Sequence, residues 1–221
     1  MDVSNQNIKE GKMIITNIKT FEIEGLMFLE TKAFGDERGY FEETFSKRDL
    51  AQIGIEFPEL QANHSFSKAV DDGIDRGDGI GGIFRGFHFQ KNPHAQAKLV
   101  GVMGTGDRSD GLVFDYAVDL RKGSQTFGEI QDVELKPHTW FYIPAGFAHA
   151  FIACKGPVHF TYFVSDYWAP DCECGFNPWK KNKSNLFHFE YPDFINPKKL
   201  ILSEKDKAMG SFDDLRIEDL F

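Results

Sequence analysis

Residues 111–120 read GLVFDYAVDL, and their alternation decides the fold class. The bulky apolar side chains, from Phe114 to Leu120, fall at every second position and so share one face of an extended strand. The positions between them, which include Asp115 and Asp119, share the opposite face. This period of two predicts a β-strand.

Ten other short runs along the chain have the same strand-forming composition and are separated by Gly, Pro, Asp and Asn. In chain order they are MIITNIKTF, GLMFLETKAF, GYFEETF, ELQANHSF, IFRGFHF, AKLVGVM, FGEIQDVEL, TWFYIPAGF, HAFIAC and PVHFTYFVSDYW. Two weaker helical segments, SKRDLAQIGI and SEKDKAMGSFDDL, each begin with a serine suited to capping a helix. The pattern predicts an all-β sandwich or barrel with short accessory helices.

The composition is that of one globular domain without a membrane span. Of 221 residues 41% are hydrophobic, and no apolar run approaches the ~18 residues of a spanning helix. We expect a single domain at residues 13–221, preceded by a flexible extension at residues 1–12 that lacks the features of a signal or transit peptide. These features predict a soluble, cytoplasmic protein.

The net charge and the cysteines argue against several classes of partner and cofactor. A net charge of −9 disfavours broad contacts with nucleic acid or anionic membranes, so an anionic ligand must be held by a few local cations. The three cysteines, which are Cys154, Cys172 and Cys174, lack the spacing of zinc or redox pairs. Two stretches rich in glycine and aspartate, residues 70–82 and 104–111, predict exposed loops between strands.

Three polar side chains lie close together in IFRGFHFQKNPHAQAKLV, residues 83–100. In a regular strand Arg85 and His88 point to opposite faces, but Gly86 between them allows a bulge that re-aims one side chain. Lys98 lies on the next strand, within reach of the same face. One interpretation is a partly buried histidine flanked by two surface cations. The other is a shared polar site, and the presence of three such groups on adjacent strands counts toward it because unpaired buried cations are costly.

A second motif, IPAGFAHAF at residues 143–151, has the P-x-G-x-x-H spacing of the second cupin motif. In metal-binding cupins the histidine of this motif, here His149, is a ligand together with an H-x-H pair. The corresponding place reads His88-Phe89-Gln90, so that pair is missing. A metal centre built on His88, His94 and His149 is therefore an alternative rather than the main prediction.

Two further side chains are candidates for acid–base chemistry. Tyr162, in the run HFTYFVSDYW, is either a proton donor in an apolar pocket or an ordinary core tyrosine. Asp206, in LSEKD on the later helical segment, taken alone is a solvated carboxylate. Neither residue identifies a reaction by itself.

Seven segments in the same order resemble the signature blocks of the dTDP-4-dehydrorhamnose 3,5-epimerase family: GDERGYFEETF, QANHSFS, FRGFHFQ, AQAKLV, VFDYAVDLRKGSQTFG, IPAGFAHAF and LSEKD. The resemblance runs from about Met13 to Asp214. It implies a cupin-like jelly-roll barrel, usually a homodimer. It also implies an epimerase that inverts C3 and C5 of a nucleotide-diphospho-4-keto-6-deoxy sugar, as in dTDP-rhamnose biosynthesis, with no metal and no organic cofactor.

The resemblance also assigns roles to individual positions. The family's catalytic base, its aspartate partner, its lysine and its tyrosine match His88, Asp206, Lys98 and Tyr162 in that order. The substrate-binding positions, which include a pyrophosphate-contacting arginine and a segment that reaches the neighbouring subunit's nucleotide, match Arg85, His149, Arg38, Glu43, Gln61, Asn63 and Trp168. Trp168 stands where many members carry tyrosine, and both predicted loops are longer than usual, so the nucleotide base stays open.

Elementary chemistry supports these roles. A ketone at C4 acidifies the hydrogens at C3 and C5, because loss of either gives an enolate. A neutral histidine with a pKa near ~6.5 can remove the proton, and a lysine beside the developing oxyanion stabilises it. Other functions remain open: a C3-only or C5-only epimerase on a GDP- or CDP-linked sugar, a metal-dependent cupin isomerase or dioxygenase, a sugar-nucleotide ketoisomerase, or a non-catalytic sugar-nucleotide binding module.

Overall fold

The computed structural model describes residues 14–68, 70, 75–103 and 111–221. Within these ranges the chain forms fourteen strands and two short α-helices. The strands are β1 (Ile15–Thr20), β2 (Met27–Thr31), β3 (Ala33–Asp36), β4 (Gly39–Glu42), β5 (Gln61–Ser67), β6 (Ile80–Gln90), β7 (Lys98–Met103), β8 (Leu112–Asp119), β9 (Ile130–Leu135), β10 (Thr139–Ile143), β11 (Phe147–Lys155), β12 (Val158–Val164), β13 (Glu173–Phe176) and β14 (Ile195–Ile201). The helices are α1 (Lys47–Gln52) and α2 (Glu204–Ala208), and single 3-10 turns lie at Pro170–Cys172, Phe212–Asp214 and Ile217–Asp219.

Two six-stranded sheets pack face to face. Sheet I has the strand order β1-β2-β10-β7-β12-β5, and sheet II has the order β13-β6-β11-β8-β9 with β14 added beside β6. Neighbouring strands are antiparallel except for β14, which runs parallel to β6. The hairpin of β3 and β4 stands apart from both sheets. This architecture confirms the predicted all-β, cupin-like jelly-roll fold.

The alternation of β8 places its two faces in two different apolar layers. Val113 and Ala117 face sheet I and pack in the layer between the sheets. Tyr116 and Val118 point the other way, into a layer on the outer side of sheet II. The tail of the chain covers that outer side with further aromatic side chains, among them Trp179, Phe187, Phe189 and Phe212. Sheet II is therefore buried on both faces, which explains its nearly continuous apolar strands.

Both helices begin at the predicted serines. The side chain of Ser46 accepts a hydrogen bond from the backbone N–H of Asp49, and Ser203 caps α2 in the same way. The later helix is shorter than its sequence pattern, since it ends at Ala208 and the chain then forms a separate 3-10 turn. No helix in the described part of the chain is long and apolar enough to cross a membrane.

The first predicted loop is wrong at its C-terminal end. Residues 80–82 are the buried start of β6, and an added Cβ at Gly82 would lie only 2.6 Å from the carbonyl oxygen of Ala153 on β11. The glycine here permits close approach of two strands and does not mark a loop. Residues 71–74 of this loop, residues 104–110 of the second one and the expected extension at residues 1–12 lie outside the described residues.

Candidate active site

The two sheets enclose a cavity of about 700 Å³. This volume is in the range of small-molecule sites in proteins. Nine of the eleven residues predicted for catalysis or binding line it: Gln61, Asn63, Arg85, His88, Lys98, His149, Tyr162, Trp168 and Asp206. Distant segments of the sequence therefore meet in one place.

A bulge in β6 brings Arg85 and His88 to the same cavity. His88 pairs with His149 of β11, and Arg85 pairs with Phe151, so β6 advances three residues where β11 advances two. The extra residue falls around Gly86, as the sequence analysis predicts. Gly86 also leaves room for Asp206, since an added Cβ at Gly86 would lie 3.1 Å from the Asp206 carboxyl group.

His88 and Asp206 form a short hydrogen-bonded pair. Nε2 of His88 lies 2.6 Å from Oδ1 of Asp206, which is 6% exposed. The cap of α2 fixes Asp206, because the Ser203 hydroxyl accepts from the Asp206 backbone N–H at 3.0 Å. The sequence position of Asp206, 118 residues after His88, gives no hint of this contact without the family resemblance.

The contact between His88 and Asp206 shifts the pKa of both groups. Burial lowers the pKa of His88, but the hydrogen bond to Asp206 and the neighbouring carboxylate of Glu173 outweigh it, so the pKa is raised overall. Burial raises the pKa of Asp206, and the contact with His88 outweighs it in the opposite direction, so that pKa is lowered. Asp206 is therefore an anion at neutral pH, beside an imidazole that holds a proton strongly.

Lys98 lies on β7 of sheet I and reaches across to sheet II. Its Nζ donates a hydrogen bond to the backbone oxygen of His88 at 3.1 Å. The side chain keeps some surface toward the cavity but is surrounded by protein, and this burial lowers the pKa of Lys98 to about 8 against the attraction of Asp115 and Glu173. Lys98 thus places a positive charge beside His88 below about pH 8.

Tyr162 lies on β12 of sheet I, on the wall opposite to His88. Burial raises the pKa of its phenol, and Arg85 opposes this effect in part. The phenol is therefore protonated at neutral pH. A protonated phenol on one wall and an imidazole on the other can act on two faces of a ligand held between them.

His149 forms a second histidine–aspartate pair that sequence reasoning missed. Its Nε2 lies 2.9 Å from Oδ2 of Asp115, a carboxylate with no exposed surface. Burial lowers the pKa of His149 and raises the pKa of Asp115, so both groups are shifted toward their neutral forms and Nε2 and Oδ2 are joined by a hydrogen bond. The alternation of β8 contained a signal for this pair, because it put Asp115 on the inward face between Val113 and Ala117.

Two more charged residues of the cavity were also missed, Glu173 on β13 and Lys205 on α2. Oε1 of Glu173 lies 2.6 Å from Nζ of Lys205 and 3.2 Å from Nδ1 of His88. The indole N–H of Trp168 donates to Oε2 of Glu173 at 3.3 Å. His88, and then Lys205, lower the pKa of Glu173 to about 2. The pairing of β13 with β6 brings Glu173 next to His88, and the local sequence CEC contains no pattern that predicts this pairing.

The rim of the cavity along β5 carries a cation near one end of the strand and an aromatic ring near the other. The guanidinium of Arg85 lies near the rim of β5, where its Nη2 donates to the backbone oxygen of Phe66 at 3.1 Å. Trp168 is 61% exposed at the mouth, and its backbone N–H donates to the side chain of Gln61. Gln61 in turn donates to Asn63 at 2.8 Å. The rim therefore presents a cation near the C-terminal end of β5, and an indole face and two amides toward its N-terminal end.

Arg38 and Glu43 do not line the cavity of their own chain. Arg38 lies at the tip of the β3–β4 hairpin, is 85% exposed and pairs with Asp36. The metal alternative also finds no geometric support, since Nδ1 of His94 contacts Asp166 outside the cavity lining. Across the described residues, no group of three or more His, Cys, Asp or Glu side chains is arranged to hold a metal ion.

Comparison with known proteins gives one consistent result. A family model described as dTDP-4-dehydrorhamnose 3,5-epimerase matches residues 20–214. The chain is 34% identical over 204 residues to the dTDP-4-dehydrorhamnose 3,5-epimerase of Escherichia coli (strain K12), which covers 90% of this chain and 96% of the relative.

Solved structures agree. The RmlC 3,5-epimerase of Legionella pneumophila in complex with dTDP-4-keto-L-rhamnose superposes with a TM-score of 0.75 at 33% identity, over 92% of this chain and 96% of the other. ChmJ, a 3'-monoepimerase from Streptomyces bikiniensis solved with dTDP-quinovose, gives a TM-score of 0.68 at 29% identity, over 86% and 85%.

Proposed function

The chain belongs to the dTDP-4-dehydrorhamnose 3,5-epimerase family, and from this premise we propose that it inverts C3 and C5 of a dTDP-linked 4-keto-6-deoxy sugar. The observation that carries the proposal is one cavity with the His88–Asp206 pair on one wall and Tyr162 on the other. Inversion at carbon needs a base on one face of the sugar and an acid on the opposite face, and these two walls supply them.

His88 removes the proton next to the ketone. Asp206 binds Nε2–H, so the lone pair of Nδ1 is the one that accepts the carbon proton. The imidazolium that forms is stabilised by the anionic Asp206, in the same way that a buried aspartate supports the histidine of a catalytic triad. The electron pair of the C–H bond moves to C4 and its oxygen, which gives an enolate.

Lys98 stabilises that enolate. A carbon next to a ketone is a far weaker acid than imidazolium, and each pKa unit of mismatch costs about 1.4 kcal/mol. An ammonium beside the developing oxygen lowers this barrier, because charge placed in advance in a poorly solvated site is more effective than in water. Tyr162 then delivers its phenolic proton to the opposite face of the carbon, and the ketone re-forms.

The rim of the cavity along β5 holds the nucleotide, with Trp168 near one end of the strand and Arg85 near the other. Arg85 suits a bidentate grip on the pyrophosphate, and Trp168 offers a face on which the thymine stacks. Gln61, Asn63 and His149 contribute polar contacts along the cavity. Clamping the nucleotide orients the sugar between the two walls, where proximity contributes directly to the rate.

The active form is a homodimer in the cytoplasm, in which residues 13–221 act as one domain. The exposed hairpin supports the dimer: Phe41 is 68% exposed and Tyr40 is 43% exposed, beside the charged side chains of Arg38 and Glu43. A hairpin with this composition is suited to lie on a second subunit. In the dimer it reaches the nucleotide bound by the partner.

Solvent exchange tests the reaction. Incubation with dTDP-4-keto-6-deoxyglucose in heavy water should place deuterium at C3 and C5, as followed by NMR, and His88→Asn should abolish the incorporation. Binding of the nucleotide sugar without any exchange contradicts the proposal. Movement of the ketone to C3 also contradicts it and indicates a ketoisomerase.

A C3-only epimerase is the second candidate, favoured by the structural similarity to the 3'-monoepimerase. The same experiment separates the two, because a C3-only enzyme leaves hydrogen at C5. Parallel reactions with GDP- and CDP-linked 4-keto-6-deoxy sugars show which base the mouth of the cavity accepts.

A further inference from the structure

Both ring nitrogens of His88 face a carboxylate. Nε2 lies 2.6 Å from Oδ1 of Asp206, and Nδ1 lies 3.2 Å from Oε1 of Glu173. Nδ1 is buried, and among the described residues it makes no hydrogen bond of good geometry. The imidazole is therefore held between an acid on α2 and an acid on β13.

This arrangement conflicts with the role of a base. A base needs an unshared electron pair aimed at the proton that it removes. Because Asp206 holds Nε2, Nδ1 is the nitrogen left for the substrate. A carboxylate beside Nδ1 stabilises a proton there instead of a lone pair, and its oxygen fills the position about 3–3.5 Å away that a reacting carbon needs. Glu173 must move before His88 can react.

Glu173 has partners that keep its charge paired after such a move. Lys205 lies 2.6 Å from Oε1, and the indole N–H of Trp168 donates to Oε2 at 3.3 Å. Both partners are more than half exposed, Lys205 by 55% of its side chain and Trp168 by 61%. They can follow the carboxylate, so its departure from His88 leaves no unpaired buried charge.

We propose that Glu173 is a gate on the catalytic base: its carboxylate covers Nδ1 of His88, and the sugar ring of the ligand displaces it toward Lys205 and Trp168. The inference rests on the proposed function, which makes His88 the base. The sugar opens the gate, because only the sugar reaches the position beside His88. The nucleotide alone leaves the gate closed.

The gate has a measurable effect on the protonation of His88. Charged and titratable groups line the cavity around the ring on six elements: Asp206 and Lys205 on α2, Glu173 on β13, Lys98 on β7, His149 on β11, Arg85 on β6 and Tyr162 on β12. Burial and Lys98 lower the pKa of His88, and the two carboxylates raise it by more. Removal of the charge at Glu173 therefore lowers that pKa, and so does opening of the gate.

Nuclear magnetic resonance titration of the labelled His88 ring in the full chain tests both statements. Without ligand, the pKa of His88 should fall in Glu173→Gln relative to the wild type. Glu173→Asp, which keeps the charge on a shorter side chain, should give a smaller fall. The matched control is Asp166→Asn, which removes the charge of a carboxylate 3.0 Å from Nδ1 of His94, outside the cavity lining, and should leave the pKa of His88 unchanged. An unchanged pKa in Glu173→Gln overturns the gate.

Two ligands test the opening. dTDP-quinovose carries a hydroxyl at C4 in place of the ketone, so it fills the sugar site without reacting. It should lower the pKa of His88 in the wild type and have a smaller effect in Glu173→Gln, whereas dTDP alone should have little effect in either protein. Binding of dTDP-quinovose with no change at His88 overturns the gate. Failure of both ligands to bind contradicts the proposed function instead, and the ligand-free titration still decides whether Glu173 holds His88.

Discussion

At the scale of single residues, the hydrogen bond between His88 and Asp206 is the contact on which the proposed chemistry depends most. Asp206→Asn keeps the size of the side chain but removes the negative charge that stabilises the imidazolium. We expect the rate of deuterium incorporation at C3 to fall by about 10²–10⁴-fold, the usual contribution of a positioned acid–base group. Nuclear magnetic resonance of the sugar in heavy water measures this rate directly.

The chain offers a matched control for that substitution. Asp166 contacts Nδ1 of His94 at 3.0 Å, and this second aspartate–histidine pair lies outside the cavity lining. Asp166→Asn should therefore retain activity close to that of the wild type. An equal loss in both variants, or no loss in Asp206→Asn, shows that the pair at His88 has no special role.

Tyr162 separates removal of a proton from inversion. Tyr162→Phe keeps the base and the lysine, so hydrogen still leaves the carbon, but no acid remains on the opposite wall. We expect deuterium exchange to continue while the yield of inverted sugar drops by about 10²-fold or more. Proton coupling constants of the hexose distinguish exchanged from inverted product.

Tyr142 is the control for Tyr162, since it packs on the outer side of the same sheet. Tyr142→Phe should leave both exchange and inversion intact. If Tyr162→Phe still inverts the sugar at the wild-type rate, the proton comes from another group.

The proposed role of Lys98 predicts that the reaction slows at alkaline pH, where its ammonium group loses a proton. Burial lowers the pKa of Lys98 to about 8, so the stabilising ammonium is present below that pH and is lost as the pH rises through it. We expect kcat/KM, which reports groups of the free enzyme, to decrease above about pH 8 as the enolate loses its positive partner. The pH profile of kcat/KM in the wild type measures this decrease.

Lys98→Met should be slow at every pH and should lack the alkaline decrease. A decrease near pH 8 that persists in Lys98→Met must come from a different group. Because the substitution buries an apolar chain in place of an ammonium, the fold should be at least as stable, which thermal unfolding checks.

Residues whose role follows from a local pattern could be predicted, and residues whose role follows from long-range pairing could not. His88 and Lys98 stand in one short run, and the alternation of β8 already placed Asp115 on an inward face. Glu173 gave no such signal, because its contact with His88 exists only through the pairing of β13 with β6. Lys205 was missed beside Asp206 because a lysine on a short helix is usually solvated.

At the scale of elements, the bulge of β6 and the position of α2 depend on each other at Gly86. A methyl group there would lie 3.1 Å from the Asp206 carboxyl, which is closer than most such contacts. Gly86→Ala should therefore push α2 outward and lengthen the bond between Asp206 and His88. We expect a destabilisation of about 1–3 kcal/mol by overpacking and a loss of exchange activity that exceeds what stability explains.

Thermal unfolding and exchange rates measured on the same protein separate the two effects. Gly35→Ala is the comparison, because an added Cβ there meets only the backbone oxygen of Gly39, at 3.6 Å. It should leave the unfolding temperature unchanged, and it serves as a control for stability alone because the proposed dimer brings this hairpin to the partner's site. If Gly86→Ala is fully active, the bulge does not need a glycine to hold Asp206 in place.

Elements with a clear period were predicted well, and elements defined by glycine were not. The eleven predicted runs each contain or overlap a strand, since the alternation reflects two faces in different environments. Residues 80–82 looked like a loop because glycine usually breaks strands, but here it allows β6 to approach β11 closely. Sequence alone does not distinguish these two uses of glycine.

At the scale of the whole molecule, the fold explains how an acidic protein can bind an anionic ligand. The chain carries a net charge of −9, yet the proposed ligand is an anion. The fold brings three cations to one cavity, Arg85 from β6, Lys98 from β7 and Lys205 from α2. The rest of the chain carries the excess of acidic side chains, so these three cations are concentrated where an anionic ligand is proposed to bind.

The exposed hairpin of β3 and β4 extends this reasoning to the proposed dimer. Arg38 and Glu43 are matched to substrate-binding positions, but neither lines the cavity of its own chain. If they act on the partner's nucleotide, each site of the dimer is built from two chains. A defect in the hairpin of one subunit then affects the site of the other subunit.

Mixed dimers test this arrangement. The Arg38→Ala chain keeps His88 in its own site but has no arginine to contribute to its partner's site. The His88→Asn chain has an inactive site of its own but an intact hairpin. When an equimolar mixture is unfolded and refolded, half of the dimers that form contain one chain of each variant. If the hairpin acts on its partner, each of these mixed dimers contains one complete site. Activity should then rise to about one quarter of the wild-type value, well above that of either variant alone. If the hairpin acts on its own chain, or if the protein is a monomer, the mixture shows only the average of the two separate activities.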